Sequence, residues 1–331
     1  MHSINVVDVG HGNCAVIRTE EKCVVIDAAA KVHLLKFLKT NKIDTIDLII
    51  LSHSDQDHIA GLQPVLADPE INVKCVVLSA DAQKHTNEWR DLRALIDDRV
   101  NSDTLELIMG AFSKARNDWA KITQRLALEV ISPTTAMAMA GSGLSLPDGT
   151  KRLTSNSISI VVRVIFDGNP VALFTGDMDR LALDEIIESK RPASACFLIF
   201  PHHGGLPGTS CPTKFTSDIL YLVKPNHVIF SNGRGRHSNP RPEIISAVRS
   251  FDNSIHVSCT QLSEVCCKES TSTRHYSPIE YSAGATNNNF CLGTLSIDME
   301  TMLLDAEAYA AHKAFVSTLQ EPMCTRIIAK N

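Results

Sequence analysis

Four side chains able to grip a cation fall within six residues, His53-Ser54-Asp55-Gln56-Asp57-His58. They follow the apolar run Leu48-Ile49-Ile50-Leu51, so the ligand-type residues stand on a loop where a strand ends. A loop fixed between a strand and a helix is a rigid place to hold a constellation. His53 and Asp55, at alternate positions, can point to one side. Asp57 and His58 begin the turn into the next helix and can face a second point. Two adjacent cations need that arrangement, whereas a polar turn that merely ends a strand has no use for four such residues.

Three later segments offer partners. Leu173-Phe174-Thr175-Gly176-Asp177 sets a carboxylate after another apolar strand, although Gly-Asp there is often only a turn. Pro201-His202-His203-Gly204-Gly205 sets two imidazoles before a tight turn. The segment 231–243 gathers Arg234, Arg236 and Arg241 around His237, and arginine can hold a phosphate through two parallel hydrogen bonds. Asp8 and Asp27 lie at strand ends near the expected site edge. Asp27 is read as structural, bonding loop amides, and His11 as an ordinary loop histidine.

The elements that must position these groups show as short β-branched runs at 4–9, 15–17, 23–26, 48–51 and 75–78. Helical spacing falls at 31–40 and 59–67, and 86–130 reads as mostly helical, with Trp89, Leu92, Leu95 and Ile96 on one stripe. After a Gly-, Ser- and Pro-rich loop at 140–150, strands resume at 158–165, 171–174, 196–200 and 228–230, with a helix at 242–251. Interleaved strands and helices favour a layered α and β architecture. The stretch 270–289 reads as a polar surface loop and 306–319 as a closing helix. Cys259, Cys266, Cys267, Cys291 and Cys324 have no CxxC spacing and are read as small buried hydrophobes rather than, with His275, a structural zinc site.

With 331 residues, 44% hydrophobic and 21% charged, the chain can bury a large core. A net charge of -5 argues against holding nucleic acid by overall electrostatics, but leaves room for a local basic groove. No apolar run is long enough to span a membrane. Ten cysteines without a leader pattern point to reduced thiols and a cytoplasmic setting.

HSDQDH resembles the HxHxDH signature of metallo-β-lactamase-fold hydrolases, with Asp55 where the second His usually stands. That variant is similar to the one in the hydrolase domain of the competence DNA-uptake protein ComEC and its free-standing relatives. Further matches follow in order: Val7-Asp8-Val9-Gly10-His11-Gly12, Val24-Val25-Ile26-Asp27, the strand from Asn156 to Val161, Leu173–Asp177 and Pro201–Gly204. The resemblance covers about residues 1 to 250. It implies an α+β fold, an αββα sandwich of two similar halves with the site along one edge. A hydrolase domain at 1–251 then carries a Cys-rich extension, 252–331, packed on it. In such proteins the residue matching Asp177 bridges two metals, and one of the paired histidines binds the second. His203, which adjoins glycine, is favoured.

The family's third histidine is replaced here by Ser155-Asn156-Ser157. The first position would then hold His53, Asp55, Asp177 and the amide oxygen of Asn156. That oxygen-rich shell suits Mn²⁺, with Zn²⁺ the alternative, and is expected to bind more weakly than the second. Hydrolysis of a phosphodiester follows as the expected activity, with two divalent ions sharing a hydroxide, Asp57 and Asp177 as the working carboxylates, and nucleic acid or a nucleotide as substrate. A thioester or lactone hydrolase on the same fold, or a metal-holding interaction module without catalysis, are the alternatives.

Overall fold

The computed structural model describes residues 2–326 apart from 30–31, 82–83, 85, 115–116, 147–151, 209–210, 236, 269–280 and 286. Its first strands, β1 (Ser3–Val6), β2 (Cys14–Arg18) and β3 (Cys23–Ala28), form an antiparallel meander. After α1 (His33–Thr40) comes the first strand of a small ladder, β4 (Thr45–Ile46), and then β5 (Leu48–Leu51) runs parallel to β3. α2 (Gln56–Ile59) and α3 (Leu62–Ala67) lead to β6 (Asn72–Val73), which pairs with β4, and to β7 (Cys75–Leu78). α4 (Asn87–Asn101) then leads to β8 (Glu106–Met109), and β5, β7 and β8 are mutually parallel.

The second half repeats that plan. β9 (Leu126–Ser132), β10 (Val161–Phe166) and β11 (Asn169–Phe174) are antiparallel, with α5 (Thr135–Ala140) following β9. β12 (Phe197–Ile199), β13 (His227–Phe230) and β14 (His256–Cys259) add in parallel, joined by α6 (Arg180–Glu188), α7 (Pro212–Val223) and α8 (Pro242–Phe251). Beyond residue 251 the chain therefore supplies β14 to the second sheet. It also supplies β15 (Leu295–Asp298) and β16 (Leu303–Leu304) to the first, beside β1, before α9 (Ala306–Ser317).

Period-two alternation sorts the side chains into layers. Val24, Ile26, Leu48, Ile50 and Val77 face the core between the sheets, where they meet residues such as Val162, Val164 and Phe174. Val25, Ile49, Leu51 and Val76 face outward, under Leu34, Phe37, Leu62 and Trp89 of the helices. The second sheet packs its other face against α6, α7 and α8 through Leu183, Ile219 and Ile244. The result is the αββα sandwich.

Three expectations about local structure are corrected. The stretch 86–130 is helical only over Asn87–Asn101, where the Thr86 side chain caps the Trp89 amide. Its later part is strand, because Leu126, Leu128 and Val130 alternate into the inter-sheet core. Helical spacing at 59–67 is broken at Gly61, whose amide donates to Ala28 at 2.5 Å; a side chain there would meet the Ala28 and Ala29 carbonyls. The polar stretch 270–289 lies partly outside the described residues, and its described part is not all surface. Ser282 is buried, and its hydroxyl and the Gly284 amide both donate to the Asp8 carboxylate.

Candidate metal centre

The carboxyl ends of β5, β11 and β12 meet at one edge of the sandwich, and each delivers acids or imidazoles there. Asp57 and His58 lie on α2, Asp177 follows β11, and His203 follows β12. One ligand atom from each of Asp57, His58, Asp177 and His203 lies within 4.8 Å of the others. His58 Nε2 is 3.1 Å from Asp177 Oδ1, and His203 Nε2 is 3.5 Å from that oxygen and 3.4 Å from Asp57 Oδ2. Both histidines of the pair have left-handed backbone, φ 55° and 56°, a conformation that costs energy and concentrates at functional sites. It lets both rings reach Asp177: His203 from inside, and His202, with Nδ1 2.9 Å from Asp177 Oδ2, from the more open side.

The donor set fits a divalent ion. His53 Nε2, His58 Nε2, His203 Nε2 and Asp177 Oδ1 are buried without a hydrogen-bond partner. Such orphaned atoms are expensive unless a ligand is bound. Two imidazole nitrogens and two carboxylates suit zinc or manganese. Behind them the rings are fixed. Asp27 Oδ2 lies 2.7 Å from His58 Nδ1 and also accepts from the Ser52 hydroxyl, while Oδ1 accepts from the Ser52 amide. The Ser231 carbonyl takes His203 Nδ1 at 2.9 Å. Each contact turns the far nitrogen towards the centre.

Charge follows these contacts. Burial, with His58 beside it, pushes His53 down to about 3. His58 is equally buried, yet the carboxylates of Asp177 and Asp27 outweigh that burial and hold it well above its ordinary range. Burial works to raise Asp57 and Asp177, but the neighbouring imidazoles win and hold both carboxyls well below theirs. A cation entering would meet two ionised carboxylates.

The other side of the centre is looser. His53 Nε2 lies 3.6 Å from Asp55 Oδ2 and 4.0 Å from Asp177 Oδ2. The Lys84 ammonium pairs with Asp55, with Asp81 Oδ2 3.8 Å away. Asn156 and Asp55 line a cavity of about 520 Å³ together with Arg152 and Arg180.

On the opposite flank, His11 Nε2 is 3.3 Å from Asp57 Oδ2, and its ring lies 4.5 Å from that of His203 and 4.7 Å from that of His237. Gly12, at φ 133°, permits this approach: a Cβ there would fall 2.4 Å from the Asp57 carbonyl oxygen. His11, His237, Asp57 and Gln261 line a cavity of about 360 Å³. Arg234 borders it, but its guanidinium donates to the carbonyls of Leu262, Cys267 and Lys268 at 2.8, 3.0 and 2.8 Å. It braces the loop instead of reaching out. Arg241 precedes α8, its amide bonded to Gly204, and Arg236 lies outside the described residues.

Sequence reasoning missed His11 at Asp57, Asp27 as the partner of His58, Lys84 at Asp55 and His202 at Asp177. A strand-end Asp in each half, Asp27 after β3's apolar run and Asp177 after β11, was the available signal for Asp27. Cys259, Cys266, Cys291 and Cys324 pack around Leu262 and Phe315, and His275 lies outside the described residues.

Residues 7–120 match the family model described as the metallo-beta-lactamase superfamily. Recombination protein 2 of Haemophilus influenzae is 24% identical over 240 residues, 70% of this chain but 24% of that protein, so the chain spans about a quarter of the relative's length. Among solved structures, the metallo-beta-lactamase fold protein YhfI from Bacillus subtilis aligns with a TM-score of 0.45 and 13% identity, over 78% of this chain and 96% of that one. Tm1679, a metal-dependent hydrolase of the beta-lactamase superfamily, gives 0.47 and 14%, over 78% and 96%. A diphosphatase from the PhnP family gives 0.39 and 14%, over 69% and 85%.

Proposed function

We propose that this chain is a metal-dependent hydrolase of the metallo-β-lactamase superfamily and that it cleaves a phosphodiester in nucleic acid or a nucleotide. The observation that carries the reading is a pair of cavities flanking the metal centre. One opens on Asp57 and one on Asp55, so an extended substrate can lie across the centre with a residue accommodated on each side. The name of the Haemophilus influenzae relative, a recombination protein, is in keeping with nucleic acid.

In this reading Asp57, His58, Asp177 and His203 hold one divalent ion, and His53, Asp55 and Asp177, with Asn156 near, hold a weaker second. When bound, zinc or manganese supplies an activated water and neutralises charge on the phosphoryl oxygens. The protein's own groups do the rest. Asp27 and the Ser231 carbonyl orient the imidazoles, and His11 steadies Asp57. His202 is one-third exposed, and the Asp177 carboxylate 2.9 Å from its Nδ1 raises its proton affinity against burial. It is placed to hand a proton to a departing oxygen. Arg152 on one flank, and His237 and Arg241 on the other, are the candidates to hold flanking phosphates, whereas the Arg180 guanidinium is already paired with Asp184 and Asp218.

The test is turnover by Mn²⁺- and Zn²⁺-loaded protein on single-stranded DNA, duplex DNA, RNA, cyclic dinucleotides, a thioester and a lactone. Phosphodiester cleavage that disappears in Asp57→Ala supports the reading. Turnover confined to the thioester or lactone overturns it.

A further inference from the structure

At the opposite end of the second sheet the chemistry reverses sign. β13 and β14 start side by side at His227 and His256, and run towards Phe230 and Cys259. The metal centre adjoins the finishing end, where Ser231 meets His203. At the starting end a cavity of about 670 Å³ opens between β14, the turn after α8, and α9. α9 presents one face to it, because Tyr309, His312, Lys313 and Val316 recur at helical spacing.

The charged and ionisable lining is one-sided. Arg249, His256, His312 and Lys313 border the cavity and, among the described residues, no aspartate or glutamate does, in a chain whose net charge is -5. Arg249 is only 6% exposed. Two of its nitrogens donate to the carbonyls of Asn253 and Ile255, Nε has no partner, and among the described residues no carboxylate forms an ion pair with it. His312 is 4% exposed with Nδ1 unpartnered, its Nε2 lying 3.3 Å from Cys291 Sγ. The effect is felt next door, where burial first, and then His256, His312, Lys313 and Arg249, press His227 down to about 3. A buried guanidinium with no ion-pair partner, helped only at a distance by Asp252, is costly, and an incoming anion would relieve it. Between the charges stands Tyr309, edge-on to His256 at 5.8 Å with Lys313 Nζ 4.4 Å over its ring. Val257, Val316 and Leu319 supply an apolar wall.

We propose that this cavity binds a small phosphomonoester with a flat or apolar body, of the nucleoside monophosphate class. The phosphate lies among Arg249, His256 and Lys313, and the body lies against Tyr309. The volume is within the usual range for small-molecule sites. The proposal does not rest on the hydrolytic reading, since no lining residue belongs to the metal centre.

Calorimetric titration of the full-length protein with adenosine 5′-monophosphate tests it, with adenosine as the uncharged control. We expect one saturable site per chain, unchanged in Asp57→Ala and weakened about tenfold to hundredfold in Lys313→Glu, the range for a charge-assisted contact. Lys313 is exposed, so that variant keeps the test open even if Arg249→Gln fails to fold. Absence of saturable binding would overturn the proposal. So would adenosine binding as tightly as its monophosphate, or affinity that falls in Asp57→Ala but persists in Lys313→Glu.

Discussion

Buried histidines gather at both ends of the second sheet, and their surroundings give them opposite character. At the metal end, His58 sits between Asp27 and Asp177, and its proton affinity is raised despite complete burial. At the other end, His227 has Ser258 Oγ 2.8 Å away and His256, His312, Lys313 and Arg249 around it, and burial brings it to about 3. Burial alone pushes an imidazole towards neutrality; carboxylates within hydrogen-bond reach reverse that. The same residue type thus marks a cation site at one end and an anion-attracting cavity at the other. The neighbours, and not the histidine count, set the sign.

The sharpest way to break this contrast is to remove the carboxylates of the metal end. Asp57→Ala should lower the affinity of the tight ion by more than the ~100-fold upper range for supporting residues, because a direct ligand is lost, and should abolish hydrolysis. Asp57 is only partly buried, so the thermal midpoint of the metal-free protein should hardly move. Mn²⁺ titration with unchanged affinity would remove Asp57 from the centre. Asp27→Asn keeps the shape but not the charge behind His58. Affinity should fall roughly 10- to 100-fold, the usual effect of an orienting partner. Wild-type affinity in that variant would mean that Ser52 and packing alone hold the ring.

How much of this contrast could be read beforehand follows the range of each signal. HSDQDH was legible because its four ligand-type side chains fall within six residues and the strand before it is uniformly apolar. Asp177 and His203 were expected from the family resemblance, His203 because it adjoins glycine, and both follow strands in the fold. His11 at Asp57 and Asp27 at His58 join elements separated in the chain by 46 and 31 residues, and a single sequence does not encode such pairings. The basic cavity was invisible for the same reason: Arg249, His256 and Lys313 come from a helix end, a strand start and a distant helix. The strands Glu106–Met109 and Leu126–Ser132 were hidden in a stretch read as mostly helical, whereas Leu48–Leu51 and Pro242–Phe251 agree in both bounds. Arg234 shows the reverse error. Composition suggested a phosphate grip, but the carbonyls of 262–268 occupy its donors.

At the far end the contrast can be sharpened with acid. The folded His227 resists the proton that the unfolded chain accepts near the ordinary value of 6.5, so the unfolded state binds more protons between about 6.5 and about 3. Stability must therefore fall as pH falls through that window, by at most ~1.4 kcal/mol per pH unit for this group. His312, brought to about 4 by burial, acts in the same direction. Urea midpoints of His227→Gln measured from pH 7 to pH 5 should decline less steeply than those of the wild type, with a residual slope to which His312 and His53 contribute. Parallel curves would show that His227 accepts its proton in the folded protein.

The smallest effect is expected from Lys84, a cation beside the looser metal position. Lys84 pairs with Asp55, so an ion in the looser position must compete with an ammonium for the same carboxylate. Among the described residues no lysine or arginine pairs with Asp57 or Asp177, the carboxylates of the tight position, whose partners are imidazoles. Lys84 is partly exposed, and the pair is screened accordingly; ~1 kcal/mol, or about fivefold in affinity, is a reasonable size for its influence. In Lys84→Met, the weaker Mn²⁺ equivalent should bind about fivefold more tightly while the stronger one is unmoved. If both equivalents tightened together, Lys84 would be acting through the overall field of the site. If neither changed, Asp55 would not be a metal ligand, and the asymmetry between the two positions would have to come from the missing imidazole at Asn156 alone.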